Sequence, residues 1–125
     1  MINLVQIGGN LIEDPDLRDA ANGALCAEFT LASKGVRYDR RQNADVIDQV
    51  FVRVVAWEDA AEVVARIGKG TVVLVIGQIT QQEVEKNGRK ESKTKVRALT
   101  VQVVRTPQED RARPAVPAGD DQYPG

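Results

Sequence analysis

Phe51, Arg53 and Trp57 stand at alternate positions of one short apolar run, residues 50–57. Side chains alternate faces along a strand, so these three share a face with Val55 while Val50, Val52, Val54 and Ala56 share the other. The second set is a core face. The first places a guanidinium between two aromatics, where hydrophobic burial alone would not favour it. Each nucleic-acid base has a flat face that stacks on an aromatic ring, and each nucleotide brings a phosphate for a cation, so this alternation suits a single strand. A second reading stays open at this point: Phe51 and Trp57 as core residues of a strand buried on both sides, with Arg53 reaching outward along its stem.

Other chemistries lack their parts. The chain has no His and one Cys, so serine and cysteine triads and the usual zinc sites cannot be assembled. Asp45 with Asp48, or Asp14 with Asp16, offers paired carboxylates for Mg2+, but both pairs fall in polar segments where acids cap turns and helices. Cys26 reads as a small structural thiol. No enzyme activity, metal or cofactor is expected.

Composition sets further bounds. At 125 residues the chain fits one domain with a short appendage. Its net charge of −1 divides unevenly: residues 1–107 carry 15 Lys and Arg against 14 Asp and Glu, and residues 108–125 carry 2 against 4. A near-neutral domain must bind nucleic acid through local patches rather than overall charge. With a single Cys, no cationic leader and no apolar run of bilayer length, a cytoplasmic location with no membrane segment is expected.

The elements that must position the aromatic strand follow from periodicity. Residues 2–12 form an apolar strand in which Gly8 and Gly9 permit a bend or bulge. Asp14 and Pro15 begin a connection, and Asn22-Gly23 gives a hairpin turn before a second strand, residues 24–33. Residues 34–48 are charged and strand-poor and are expected to form a loop, basic in its first half through Lys34, Arg37, Arg40 and Arg41. After Trp57, residues Ala60, Ala61, Val63, Val64 and Ile67 recur at helical spacing, with Glu58 and Asp59 in the first turn where the helix dipole favours acids. A strand over residues 71–84, kinked at Gly77, turns at Asn87-Gly88 into a last strand over residues 90–104. That hairpin holds Lys86, Arg89, Lys90, Lys93, Lys95 and Arg97, the most basic stretch in the chain. Residues 108–125 hold three of the five prolines and are expected to form a disordered tail.

Five strands with one short helix between the third and fourth is the order of the all-β, five-stranded Greek-key oligonucleotide/oligosaccharide-binding barrel, the OB-fold. The two basic segments fall where that fold takes its ligands. The expected organisation is therefore an OB-fold domain over residues 1–107 and a Pro-rich, mildly acidic tail over residues 108–125.

The residues also resemble the bacterial single-stranded-DNA-binding protein family. Gly9-Asn10-Leu11 followed by Asp14-Pro15, Leu17 and Arg18 is similar to its opening, and Asn22-Gly23 with Phe29, Leu31 and Ala32 to its first hairpin. Phe51, Arg53, Val54, Val55 and Trp57 fall on its aromatic strand, and Lys69-Gly70 with Val75, Gly77, Gln78 and Ile79 on the stretch after its helix. The resemblance covers about residues 3–104. It implies a homotetramer, not an enzyme, whose barrels wrap single-stranded DNA in replication, recombination and repair. Phe51 and Trp57 carry over as base-stacking residues, Arg53 as a phosphate or stacking contact, and the basic segments as an electrostatic track.

The chain departs from the pattern in three places. The family commonly has a tryptophan in the segment before the aromatic strand, where this chain has Arg37 with Tyr38 beside it, and another in the fourth strand, where it has Val84. Fewer stacking platforms imply weaker binding with relatively more salt sensitivity. The family's acidic tail with a hydrophobic tip, which recruits replication and repair proteins, is reduced here to Asp120, Asp121 and Tyr123. A rival reading keeps the barrel and changes its use, as a protein-interaction module such as a dimeric primosome component or as an RNA-preferring protein.

Overall fold

Phe29, Leu31, Val54, Val73 and Val75 are fully buried and come from three different strands, so the sheet that carries them must curl until its inward faces meet. The computed structural model describes residues 1–112. In chain order it contains β1 (Val5–Leu11), β2 (Asp16–Asp19), β3 (Leu25–Asp39), β4 (Ala44–Trp57), α1 (Glu58–Ala65), β5 (Val72–Lys86), β6 (Arg89–Arg105) and α2 (Pro107–Ala112). The strands lie in the order β1-β5-β6-β4-β3-β2, and pairing of β1 with β3 closes the first five into a barrel. The β4–β6 pair is parallel and the other pairs antiparallel. This is the expected all-β OB-fold barrel, with α1 between the third and fourth barrel strands.

Closure depends on two glycines. β1 pairs with β5 from Val5 to Asn10 and then with β3 through Asn10 and Leu11, so it crosses close over β3. A Cβ on Gly9 would lie 2.1 Å from the Ala32 carbonyl oxygen. The register of β1 is continuous through Gly8 and Gly9, so close backbone approach, rather than the expected bend or bulge, accounts for Gly9. At Gly77 the expected irregularity is present: the β5–β6 register shifts between Ile76 and Gly77, and a Cβ there would meet the Arg97 carbonyl oxygen at 2.1 Å. Helix α1 buries Ala60, Ala61 and Val64 against β3, β4 and β6.

Three features differ from the sequence expectation. Residues 34–48 are not a loop. β3 and β4 pair without interruption from Cys26↔Trp57 to Asp39↔Ala44, leaving a turn of residues 40–43. The outer part of this ribbon leaves the barrel, so both faces meet solvent and charged residues are tolerated, while Val36, Tyr38, Val46 and Ile47 supply strand propensity. Second, β2 is an additional edge strand, all of it exposed and paired only with residues 25–28 of β3; without a buried face it has no apolar signature. Third, the expected boundary at residue 107 falls within α2. Thr106 and Glu109 form a reciprocal capping box, backbone N–H of each to the side chain of the other at 3.1 and 3.3 Å, with Pro107 in the first turn. The remainder of the expected tail, including Asp120, Asp121 and Tyr123, lies outside the described residues.

Candidate nucleic-acid interface

The register of β3 and β4 decides which side chains share a surface, because directly paired residues point to the same face. Phe29/Val54 and Leu31/Val52 point into the barrel. The alternate pairs Cys26/Trp57, Glu28/Val55, Thr30/Arg53, Ala32/Phe51, Lys34/Gln49, Val36/Ile47 and Tyr38/Asp45 therefore form the outer wall and its extension along the ribbon. Phe51 is 62% exposed and Trp57 36%, so the mixed face of β4 is a surface and the reading of both aromatics as core is excluded. Val50, assigned to the core face by alternation, is half exposed because it sits where the ribbon leaves the barrel.

Tyr38, opposite Asp45, is 56% exposed and lies on the same side of the pleat as Phe51 and Trp57. Positions 45, 51 and 57 are six residues apart, so the three rings are spaced at about 20 Å along the ribbon. They are separate platforms rather than one stack. The Tyr38 hydroxyl hydrogen-bonds to Oδ1 of Asn43, which ties the ring to the turn.

The basic residues separate into two sets. Lys34 lies on the aromatic face. Arg37 lies on the opposite face, its Nε donating to Asp48 Oδ2 at 2.7 Å. Arg40 and Arg41 are in the turn, where the Arg41 N–H donates to Asp39 Oδ1 at 2.9 Å. In the second hairpin, β5 and β6 pair continuously from Gly77↔Ala98 to Lys86↔Arg89 around Asn87-Gly88, whose positive φ values of 55° and 77° suit a two-residue hairpin turn. Lys93 and Lys95 line a shallow groove of about 250 Å³ beside Trp57, with Arg18, Glu28, Val55, Thr80, Gln82 and Arg97. Lys86 and Arg89 fall on the same pleat side as those lysines, and Lys90, paired with Glu85, on the other.

Arg53 is not a bare cation. Its side chain is 30% exposed, and its Nε donates to Glu28 Oε2 at 2.6 Å and its Nη1 to Thr30 Oγ1 at 2.9 Å. Asp16 Oδ2 lies 3.4 Å from Nη2 and Glu13 Oε1 3.8 Å from Nη1. Glu28 is only 8% exposed and also receives Lys95 Nζ at 3.2 Å, with Arg18 Nη2 at 3.6 Å. Burial pushes the Glu28 carboxyl up, but the hydrogen bonds and charges of Arg53 and Lys95 outweigh it and hold the group below its ordinary value. Desolvation likewise lowers Arg53, and Glu28 and Asp16 more than reverse it.

Glu28 and Arg18 were not identified as site residues from sequence, and Arg97 was read only as part of the basic hairpin. A lone carboxylate inside the apolar run of residues 24–32 is the available signal, since such a group requires cationic partners. Among the described residues no group of acidic, His or Cys side chains is placed to hold a metal, and no helix is long and apolar enough to cross a membrane.

A closed five-stranded barrel with one helix between its third and fourth strands places the protein in the class of OB-fold proteins. The chain belongs to the single-strand binding protein family, whose model matches residues 2–104. It is 38% identical over 89 residues to a single-stranded DNA-binding protein of Paenarthrobacter aurescens, a match covering 69% of this chain and 52% of that protein. A single-stranded DNA-binding protein of Aquifex aeolicus is 38% identical over 112 residues, covering 86% and 73%. The chain thus spans about half the length of several curated relatives it matches. Among solved structures, a deletion mutant of the single-stranded DNA binding protein from Thermus aquaticus superposes with a TM-score of 0.74 at 26% identity, covering 83% of this chain and 51% of that one. A Plasmodium falciparum SSB in complex with ssDNA shares the fold, with a TM-score of 0.77 at 19% identity over 84% and 97% of the two chains.

Proposed function

We propose that the protein binds single-stranded DNA without regard to base sequence and protects it during replication, recombination and repair. The observation that carries this reading is the exposure of Phe51 and Trp57 on the outward face of β4, beside Lys93 and Lys95. Bases stack on the aromatic rings while the lysines and arginines meet phosphates, and neither interaction depends on base identity. Family membership and relatives named for single-stranded DNA binding support it. The protein acts as a binder with no catalytic step, in the cytoplasm, as a homotetramer rather than a dimer.

The test uses Trp57, the only tryptophan, as reporter. Titration with oligo-dT at two salt concentrations, with a duplex of equal length as control, is expected to quench Trp57 with the single strand alone. No quenching and no binding would refute the proposal. Subunit mass in solution separates a tetramer from a dimer.

A further inference from the structure

Three cations and three carboxylates meet at the centre of the outer wall. Arg18, Arg53 and Lys95 stand against Glu28, Asp16 and Glu13, so the wall around Arg53 is electrically balanced, while Lys93 and Arg97 leave the adjoining Trp57 groove basic. The carboxylates are not equivalent. Asp16 and Glu13 have side chains 78% and 63% exposed and touch only the outer edge of the Arg53 guanidinium. Glu28 is buried, contacts all three cations, and joins strands β2, β4 and β6 through one side chain.

We infer that Glu28 is a positioning residue of the DNA-binding wall, which fixes Arg53 and Lys95 beside the Trp57 groove and sets how much of their charge a phosphate feels. The inference rests on the single-stranded-DNA reading above. A phosphate arriving at Arg53 displaces Asp16 and Glu13, which are free to swing into solvent. It cannot displace Glu28, which is held on both carboxylate oxygens: Oε2 by Arg53 at 2.6 Å, and Oε1 by Lys95 at 3.2 Å. The buried charge stays beneath the ligand and cancels part of the attraction. Paired cations therefore release fewer counterions than unpaired ones when DNA binds. Lys93 gives the internal comparison, since it lines the same groove two residues from Lys95 and makes no ion pair among the described residues.

The experiment measures the dependence of oligo-dT affinity on salt for the full chain and four variants. Each phosphate neutralised on a single strand contributes a slope of about 0.7 in log affinity against log salt. Glu28→Gln keeps the shape and a hydrogen-bond acceptor but removes the charge, so its slope is expected to steepen by about 0.7 to 1.4, as one or both of Arg53 and Lys95 become available. Its affinity rises at low salt. Glu28→Asp restores the charge and brings the slope back towards that of the parent. Lys93→Met is expected to flatten the slope by about 0.7, and Lys95→Met by much less. A purely structural Glu28 would lower the thermal midpoint of the Gln variant without moving the slope, and that result overturns the inference. So do equal effects of the two lysine variants, which report even where Glu28→Gln does not fold. If the parent chain binds oligo-dT and the slopes fail this pattern, only the inference falls; if the parent does not bind, the functional reading falls with it.

Discussion

Replacing Phe51 by Ala isolates base stacking from the rest of the interface. The ring is 62% exposed on the outer wall, so its removal opens no core cavity and is expected to change folding stability by no more than about 0.5 kcal/mol. A stacking platform contributes roughly 1–3 kcal/mol per base, which corresponds to a loss of affinity of about fivefold to about 150-fold. No cation is removed, so the salt slope is expected to stay at its parent value while the whole line drops. The nearest other platform on the same face is Trp57, six residues and about 20 Å along β4, too far for its ring to take over the same base. Trp57 remains in place as the fluorescent reporter, and oligo-dT titration of parent and Phe51→Ala at three salt concentrations gives affinity and slope together. A drop of less than twofold, or a slope shallower by a full phosphate, would refute the assignment of Phe51 as a stacking platform.

The two faces of the β3–β4 ribbon give a second contrast: Lys34→Ala is expected to flatten the salt slope by about 0.7, whereas Arg37→Ala, on the far face and paired with Asp48, leaves it within error. Losing that exposed ion pair costs at most about 1 kcal/mol in urea unfolding. Gly9→Ala and Gly77→Ala each force a methyl group onto a backbone oxygen and are expected to destabilise by about 1–3 kcal/mol, seen as a lower thermal midpoint, while Gly35→Ala, with open space at its Cβ, is expected to have little effect. Glu28 gives an acid-side prediction. Its folded pKa lies below the ordinary 4.5, so its stabilising contribution is fully present above that value and is lost as pH falls through the folded pKa. The stability gap between parent and Glu28→Gln is therefore expected to be widest near neutral pH and to narrow as pH falls below 4.5; a gap constant with pH would contradict this.

Alternation in residues 50–57 made the exposed face of the candidate interface legible, because a two-residue period fixes the face of Phe51, Arg53 and Trp57 once one side is known to be core. The helix and the Asn87-Gly88 hairpin were legible for similarly local reasons. The ribbon of residues 34–48 was not, because its outer part buries nothing and sequence reading takes an unburied charged segment for a loop. Glu28 was missed for the opposite reason: its partners Arg53 and Lys95 lie 25 and 67 residues away, and only the barrel topology brings β6 beside β4. Arg53 was identified, but its chemistry was incomplete without those contacts.

The even spacing of Tyr38's partner Asp45, Phe51 and Trp57 gives the ribbon a kind of reading frame. An insertion of one residue into β4 between Phe51 and Trp57 would turn one ring away from the side the other occupies, whereas an insertion of two would keep both on one side and lengthen the interval by about 7 Å. Length variation in this strand is thus expected to be tolerated in steps of two, with a matching change in β3, and the number of nucleotides spanned between rings would change with it.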